Sequence, residues 1–286
     1  MRRLISPSRS AVFPTRAVAV LTALAGALFA ALVFAPRMLA TRGRDSDLAD
    51  RHTLVNDLCD AFIGYWRSGK EQPSPGLERV IDYWFRYNVV KGVIASILLM
   101  VLVALGSLLW KTFLRDGGPG RVRKVALVSA GVSVVGFALF ALWTAVASLQ
   151  GAAAPFASIL PLLGGASNGA LADTVDQIKQ QLTDSTGGSE QARPALEGIV
   201  SDYVRFHVVR EIAAVPIAFA FTGASVMLWN KLARRGSNDR RTRRVLVSFA
   251  ASSTVLSLFF ILIFLVNRAT ATDPNPGLLN LFNGSW

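Results

Sequence analysis

Five runs of the chain hold almost no charge: 17–35, about 89–110, 125–149, about 211–230 and 245–267. Each is long enough to cross a hydrocarbon layer of about 30 Å. No other feature restricts the fold as much. Backbone groups in lipid find no water, so a spanning segment of this length must close its own hydrogen bonds as an α-helix. Composition agrees, with 52% hydrophobic and 17% charged residues among 286, too apolar for an ordinary soluble domain. The predicted fold class is an all-α integral membrane protein with five transmembrane helices. A net charge of +12 would by itself suggest nucleic acid. The basic residues, however, sit in short segments abutting the apolar runs, as in cytoplasmic loops. No nucleic-acid partner is expected.

The second constraint is a repeat. LERVIDYWFRYNVVK from Leu77 returns as LEGIVSDYVRFHVVR from Leu196, an offset of 119 residues (196 − 77). The same offset aligns Glu71, Gln72 and Pro75 with Glu190, Gln191 and Pro194, and Trp110 with Trp229. It also aligns Leu127-Val128-Ser129 with Leu246-Val247-Ser248, and Pro155, Leu160 and Gly165 with Pro274, Leu279 and Gly284. A long unit present twice indicates a tandem duplication, not a solenoid. The expected organisation is an N-terminal cytoplasmic segment and first span (1–40), a first repeat (41–166) and a second (167–286).

The run 17–35 follows several arginines and could be read as a secretory signal. Its apolar part is longer than a signal usually carries, and the candidate site Val33-Phe34-Ala35 precedes Pro36. It reads as a retained first helix. In the polar segment that follows, Leu54, Leu58, Phe62 and Trp66 stand four apart, predicting an amphipathic helix over 53–66. Ser74 is a candidate N-cap with Pro75 in the first turn. No break follows before Gly117, so one helix of about 40 residues, about 60 Å long, is expected. It should project well beyond the bilayer. The second copy repeats this plan after an amphipathic stretch at 170–182.

Charge gives the topology. The N-terminal segment and the loops KTFLRDGGPGRVRK and NKLARRGSNDRRTRR are strongly basic, whereas 41–87 and 150–209 carry a slight acid excess. The positive-inside rule then places the N-terminus in the cytoplasm and the C-terminus outside a cell (plasma) membrane. Both repeats begin outside, so they are parallel and not the inverted pair of many transporters. The basic loops can also attract anionic lipid headgroups.

Residues that could carry chemistry are few. Intramembrane charge marks ion and proton pathways, and here Lys91, Arg210 and Glu211 lie at span ends. Ser129 and Ser133, matched by Ser248 and Ser252, are expected to pack helices together. His207 and Glu211, four apart, form an interfacial polar contact or a pH-sensitive pair. No zinc-protease, P-loop, dinucleotide or nucleophile-elbow motif occurs, so no catalytic residue, metal or cofactor is assigned. Cys59 is the only cysteine, read as a small buried hydrophobe. The charged residues retained between copies, Glu78 with Glu197 and Arg86 with Arg205, together with Asp82 and Asp202, are candidates for an outer-face interaction site or for structural ion pairs. The short segments 155–165 and 274–284 each open on proline and close on glycine. They are too short to span, hence interfacial, re-entrant, or a docking surface.

Three functions follow as expectations. The first is a non-catalytic accessory or scaffold subunit of a bacterial cell-envelope membrane complex, partnered by other membrane proteins or by its own copies. The second is a channel or permease for an apolar or lipidic solute between the two repeats. The third is a membrane enzyme acting on lipid or polymer at the outer face, which would need Asp57, Glu78, Asp82, Asp176, Glu197 or Asp202 gathered round a cleft.

Overall fold

The computed structural model describes residues 12–41, 43–115, 121–165, 169–186, 193–234 and 240–284. Arg2, Arg3, Arg9, the Gly-Gly-Pro-Gly turn and the centre of the second basic loop lie outside them. The described elements are helical: α1 (Val12–Ala40), α2 (Arg51–Ser68), α3 (Pro75–Arg115), α4 (Arg121–Ala153), α5 (Pro155–Ile159), α6 (Gly169–Thr186), α7 (Pro194–Arg234), α8 (Arg240–Thr272) and α9 (Asn275–Phe282). Short 3₁₀ segments cover Gly43–Ala49 and Leu160–Gly165. Five helices, α1, α3, α4, α7 and α8, are long and apolar enough to cross a membrane.

The long helices start where local chemistry dictates. Ser74 caps α3: its Oγ accepts from Leu77 N–H at 3.4 Å and its carbonyl from Glu78 N–H at 2.9 Å. Pro75 opens the first turn, where its missing N–H costs nothing. The helix then runs 41 residues without a break, as does α7 from Pro194. Both α4 and α8 have 33 residues. Each helix of the second pair thus begins one repeat offset after its counterpart in the first.

Helix α2 shows why four-residue spacing matters. Leu54, Leu58, Phe62 and Trp66 are all buried, joined by Cys59, Ile63 and Tyr65. Asp50 caps its N-terminus, accepting from the N–H groups of His52 and Thr53 at 3.0 Å. The bond from Thr53 leads in holding that carboxyl below the usual range. The helix stops at Gly69, whose φ of +65° is a left-handed cap that favours glycine.

The chain divides into two compact units. One comprises the residues up to Arg44 and the stretch Arg86–Leu149. Here α1 packs on the hairpin of α3 and α4 through Leu32, Ala95, Leu98, Leu102 and Ala141. Phe29 meets Phe137 edge-on at 5.8 Å. Where α1 ends, Arg86 Nε donates to the carbonyl of Ala40 at 2.8 Å. Ala40 ends α1, so the guanidinium sits where the helix dipole is negative.

The other unit comprises Asp45–Phe85 and Gln150–Trp286. Away from the α7–α8 hairpin it holds a small apolar core formed by the buried face of α2 with α5, α6 and α9. Phe62 lies 6.3 Å from Phe156 and 6.5 Å from Phe282, while Tyr65 meets Phe156 at 90°. Ile178 and Leu182 of α6 are fully buried. Trp66 Nε1 donates to Gln177 Oε1 at 3.0 Å. The two short proline-led segments belong to this core. Phe156, Ile159, Leu160 and Leu163 are buried from the first, and Leu278 from the second.

Candidate functional site

Polar side chains converge at the end of the second hairpin farthest from its basic loop. Gln150, fully buried, closes α4 and reaches across to α7. Its Nε2 donates to the carbonyl of Phe206 at 2.9 Å, and its Oε1 accepts from Arg210 Nε at 2.7 Å. The Arg210 guanidinium also stands 5.7 Å from the Phe206 ring centre, a cation–π distance. One turn earlier, His207 Nδ1 meets Asn267 Oδ1 of α8 at 2.8 Å, and Asn267 Nδ2 donates to Ile263 O at 2.7 Å. Tyr203 packs edge-on against the His207 ring, 4.6 Å between centres. Glu211, only 8% exposed, receives Arg268 Nη1 from α8 at 3.2 Å.

Below this node a seam of hydroxyls joins α7 to α8. Thr222 Oγ1 lies 2.6 Å from Ser257 Oγ, and Ser225 Oγ lies 2.7 Å from Thr254 Oγ1. Trp229 Nε1 also donates to Thr254, at 3.2 Å. Ser248 and Ser252, expected to make such contacts, are exposed, and so are Ser129 and Ser133 of α4. That expectation is corrected by the helical screw. At about 100° per residue, Ser248 and Ser252 stand roughly opposite Ser257 and Thr254. Ser248 turns its hydroxyl to its own helix, bonding Arg244 O at 3.1 Å. His207 and Glu211 make polar contacts but not with each other, because α8 offers each residue its own partner, Asn267 to one and Arg268 to the other.

The charged residues singled out near the starts of the long helices have different places. Glu78, Asp82, Glu197 and Arg205 are exposed. Among the described residues neither Glu78 nor Glu197 enters an ion pair. Arg86 bonds the end of α1. Asp202 caps the short helix α5 from 45 residues away in sequence, its Oδ2 accepting from Ala157 N–H at 2.7 Å. The ion pairs on the start of α3 come instead from Arg79, which reaches Asp45 at 3.0 Å, Asp47, and Asp57 at 3.6 Å. Hydrogen bonding to Arg79 holds the Asp47 carboxyl below its ordinary range.

In the short segments, Pro155 opens α5, Leu160 is buried and Gly165 ends the 3₁₀ turn. Pro274 precedes α9, Leu279 is half-buried and accepts from Asn283 N–H at 2.9 Å, and Gly284 takes a left-handed φ of +76°. Their contacts with the long helices fall at positions 119 residues apart. Trp84 Nε1 donates to Ser158 Oγ at 2.8 Å in the first copy. In the second, the Tyr203 hydroxyl lies so close to Gly277 that a Cβ there would stand 2.5 Å from it. Lys91 over Tyr87, at 5.5 Å, likewise matches Arg210 over Phe206.

Sequence reasoning missed Gln150, Asn267 and Arg268, whose isolated polarity at span ends was the only available signal. Among the described residues no three His, Cys, Asp or Glu side chains group as metal ligands. No family model matches the chain, and neither does any curated protein or solved structure.

Proposed function

We propose that the chain is a non-catalytic multi-pass protein of the bacterial plasma membrane, serving as an accessory or scaffold subunit of an envelope complex. Its N-terminus faces the cytoplasm, its two hairpins are parallel copies of one ancestral unit, and its α2–α6 core forms an extracytoplasmic cap. One observation carries this reading. The more buried polar groups at the hairpin are consumed within the protein: Gln150, His207, Arg210, Glu211 and Asn267 all bond neighbouring helices or backbone. Groups spent in this way hold helices in register. A catalytic or conducting site would aim at least some of them at a substrate.

The test is a mild-detergent affinity isolation of the full chain from native membranes, with mass spectrometry and native-size analysis. A stoichiometric membrane-protein partner is expected, and liposomes carrying the purified chain alone should pass no solute. A solitary oligomer that conducts an apolar solute would replace this reading with the permease. Reporter fusions after residues 40, 118, 190 and 237 test the orientation, with 118 and 237 expected inside.

A further inference from the structure

We propose that Arg268 and the adjacent face of α8 bind the phosphate and one acyl chain of a phospholipid, a site confined to the second hairpin. This rests on the membrane-spanning reading and adds a ligand to it. The Arg268 side chain is 68% exposed, yet it is not a loose surface cation. Glu211, with its side chain only 11% exposed, takes Nη1 at 3.2 Å and fixes the direction of the guanidinium. The rest of the planar fork is left outward, where its N–H groups match the oxygens of a phosphodiester.

The apolar half of the site lies on the same helix. Leu265, Ile261 and Leu258 precede Arg268 by three, seven and ten residues, so they line one stripe beneath it. They are 55%, 41% and 61% exposed. Charge and stripe are therefore arranged as headgroup and chain are, with the cation at the bilayer boundary and the stripe running toward its middle. The first hairpin carries no such site. The repeat offset puts Gly92 where Glu211 stands and Leu149 where Arg268 stands, leaving neither cation nor carboxylate.

The experiment is native mass spectrometry of the full chain in mild detergent, titrated with phosphatidylglycerol and, separately, with diacylglycerol, which has the chains but no phosphate. The wild type should retain phosphatidylglycerol in preference to diacylglycerol. Arg268→Gln should weaken phosphatidylglycerol retention about tenfold, as expected for loss of a charge-assisted contact. Lys91→Gln, which removes a boundary cation from the other hairpin, should leave it unchanged. Arg268→Lys, which keeps the charge but not the fork, should fall between, and serves if the glutamine variant misfolds. Equal retention by wild type and Arg268→Gln, or equal retention of the two lipids, overturns the site. Release of the chain from membranes by alkaline carbonate without detergent would overturn the membrane reading beneath it.

Discussion

The two hairpins, aligned at an offset of 119 residues, solve the same packing problem by different means. In the first, Leu102 and Ala141 lie under a third helix, packed with Leu32 of α1. At the repeat-related positions the second hairpin has Phe221 and Phe260, stacked at 6.0 Å with ring planes 10° apart. What a separate helix covers in one hairpin, two aromatic rings fill in the other. The same contrast runs along the seam. Thr222, Ser225, Thr254 and Ser257 hold α7 to α8, where the first hairpin has Val103, Gly106, Val135 and Ala138. It also reaches the helix ends, since Arg86 caps α1 while its counterpart Arg205 is exposed. In lipid, burial of apolar surface does not by itself drive helices together, so close packing and interhelical hydrogen bonds must do so. One copy relies mainly on the first, the other adds the second.

The largest effect is expected where a residue of the first long helix is placed at the aligned position of the second. Arg79 on α3 becomes Gly198 on α7, and the glycine is required there: a Cβ would lie 2.5 Å from the Tyr65 hydroxyl and 3.2 Å from the Glu71 carbonyl. Gly198→Arg should therefore destabilise the cap by about 3–5 kcal/mol, through overpacking and a cation without its carboxylates. Cys59, 3% exposed and the only cysteine, reports the outcome. Its maleimide labelling should accelerate by about two to four orders of magnitude as the cap opens. The reciprocal Arg79→Gly loses only partly exposed ion pairs and some helix propensity, about 1–2 kcal/mol.

Next comes the aromatic pair. Phe260→Ala should cost about 3 kcal/mol, the low end for a buried phenylalanine, because lipid solvates what the ring leaves. Ala141→Phe, which writes the second hairpin's solution into the first, should displace α1 at about 1–3 kcal/mol. Disulfide formation between cysteines at Phe29 and Phe137, in a chain with Cys59→Ala, reads that displacement directly. Unchanged cross-linking in Ala141→Phe would show that the two solutions are interchangeable.

Tyr65 distinguishes the copies in another way, since its repeat position is Asp184, which is exposed. The Tyr65 hydroxyl lies 3.0 Å from the carbonyl of Ala195 and 3.1 Å from that of Glu71. Burial, aided by the Glu71 charge, pushes its pKa up to about 12. The folded cap thus favours the protonated phenol, and the stability this gives is complete below pH about 10 and lost as pH rises through about 12. Alkaline unfolding followed by Cys59 labelling should show that slope. Tyr65→Phe should abolish it and cost about 0.5–1.5 kcal/mol at neutral pH.

How much of this could be read beforehand depends on range. The start of α3 at Ser74-Pro75 and the buried face of α2 at Leu54, Leu58, Phe62 and Trp66 are written within a few residues, in cap chemistry and helical period. The spans follow from length and charge alone. Neither the node nor the Tyr65 contact was legible, because Gln150 finds Arg210 60 residues away and Tyr65 finds Ala195 130 away. Such pairs depend on how two helices are rotated about their axes, which local pattern does not specify. The serines make the point: Ser252 and Thr254 are equally polar and two residues apart, yet only Thr254 faces α7.

The smallest expected effect tests whether the seam itself matters. A double-mutant cycle on Thr222→Val and Ser257→Ala isolates their mutual term, and hydrogen bonds between membrane helices average about 0.6 kcal/mol. A coupling of that size is expected here. Thermal stability in detergent should resolve it when Ser225 and Thr254 are added to the series, since neighbouring bonds in one seam couple. The reverse transplant, Val103→Thr with Ala138→Ser, should gain less in the first hairpin. There α3 and α4 already approach closely: a Cβ on Gly106 would meet Val134 at 3.4 Å, and one on Gly92 would meet Ser148 at 3.2 Å. New hydroxyls in that packing must find their geometry within a contact set by glycine. If the transplant stabilises the first hairpin as much as the deletions weaken the second, the close packing set by glycine does not limit the first hairpin.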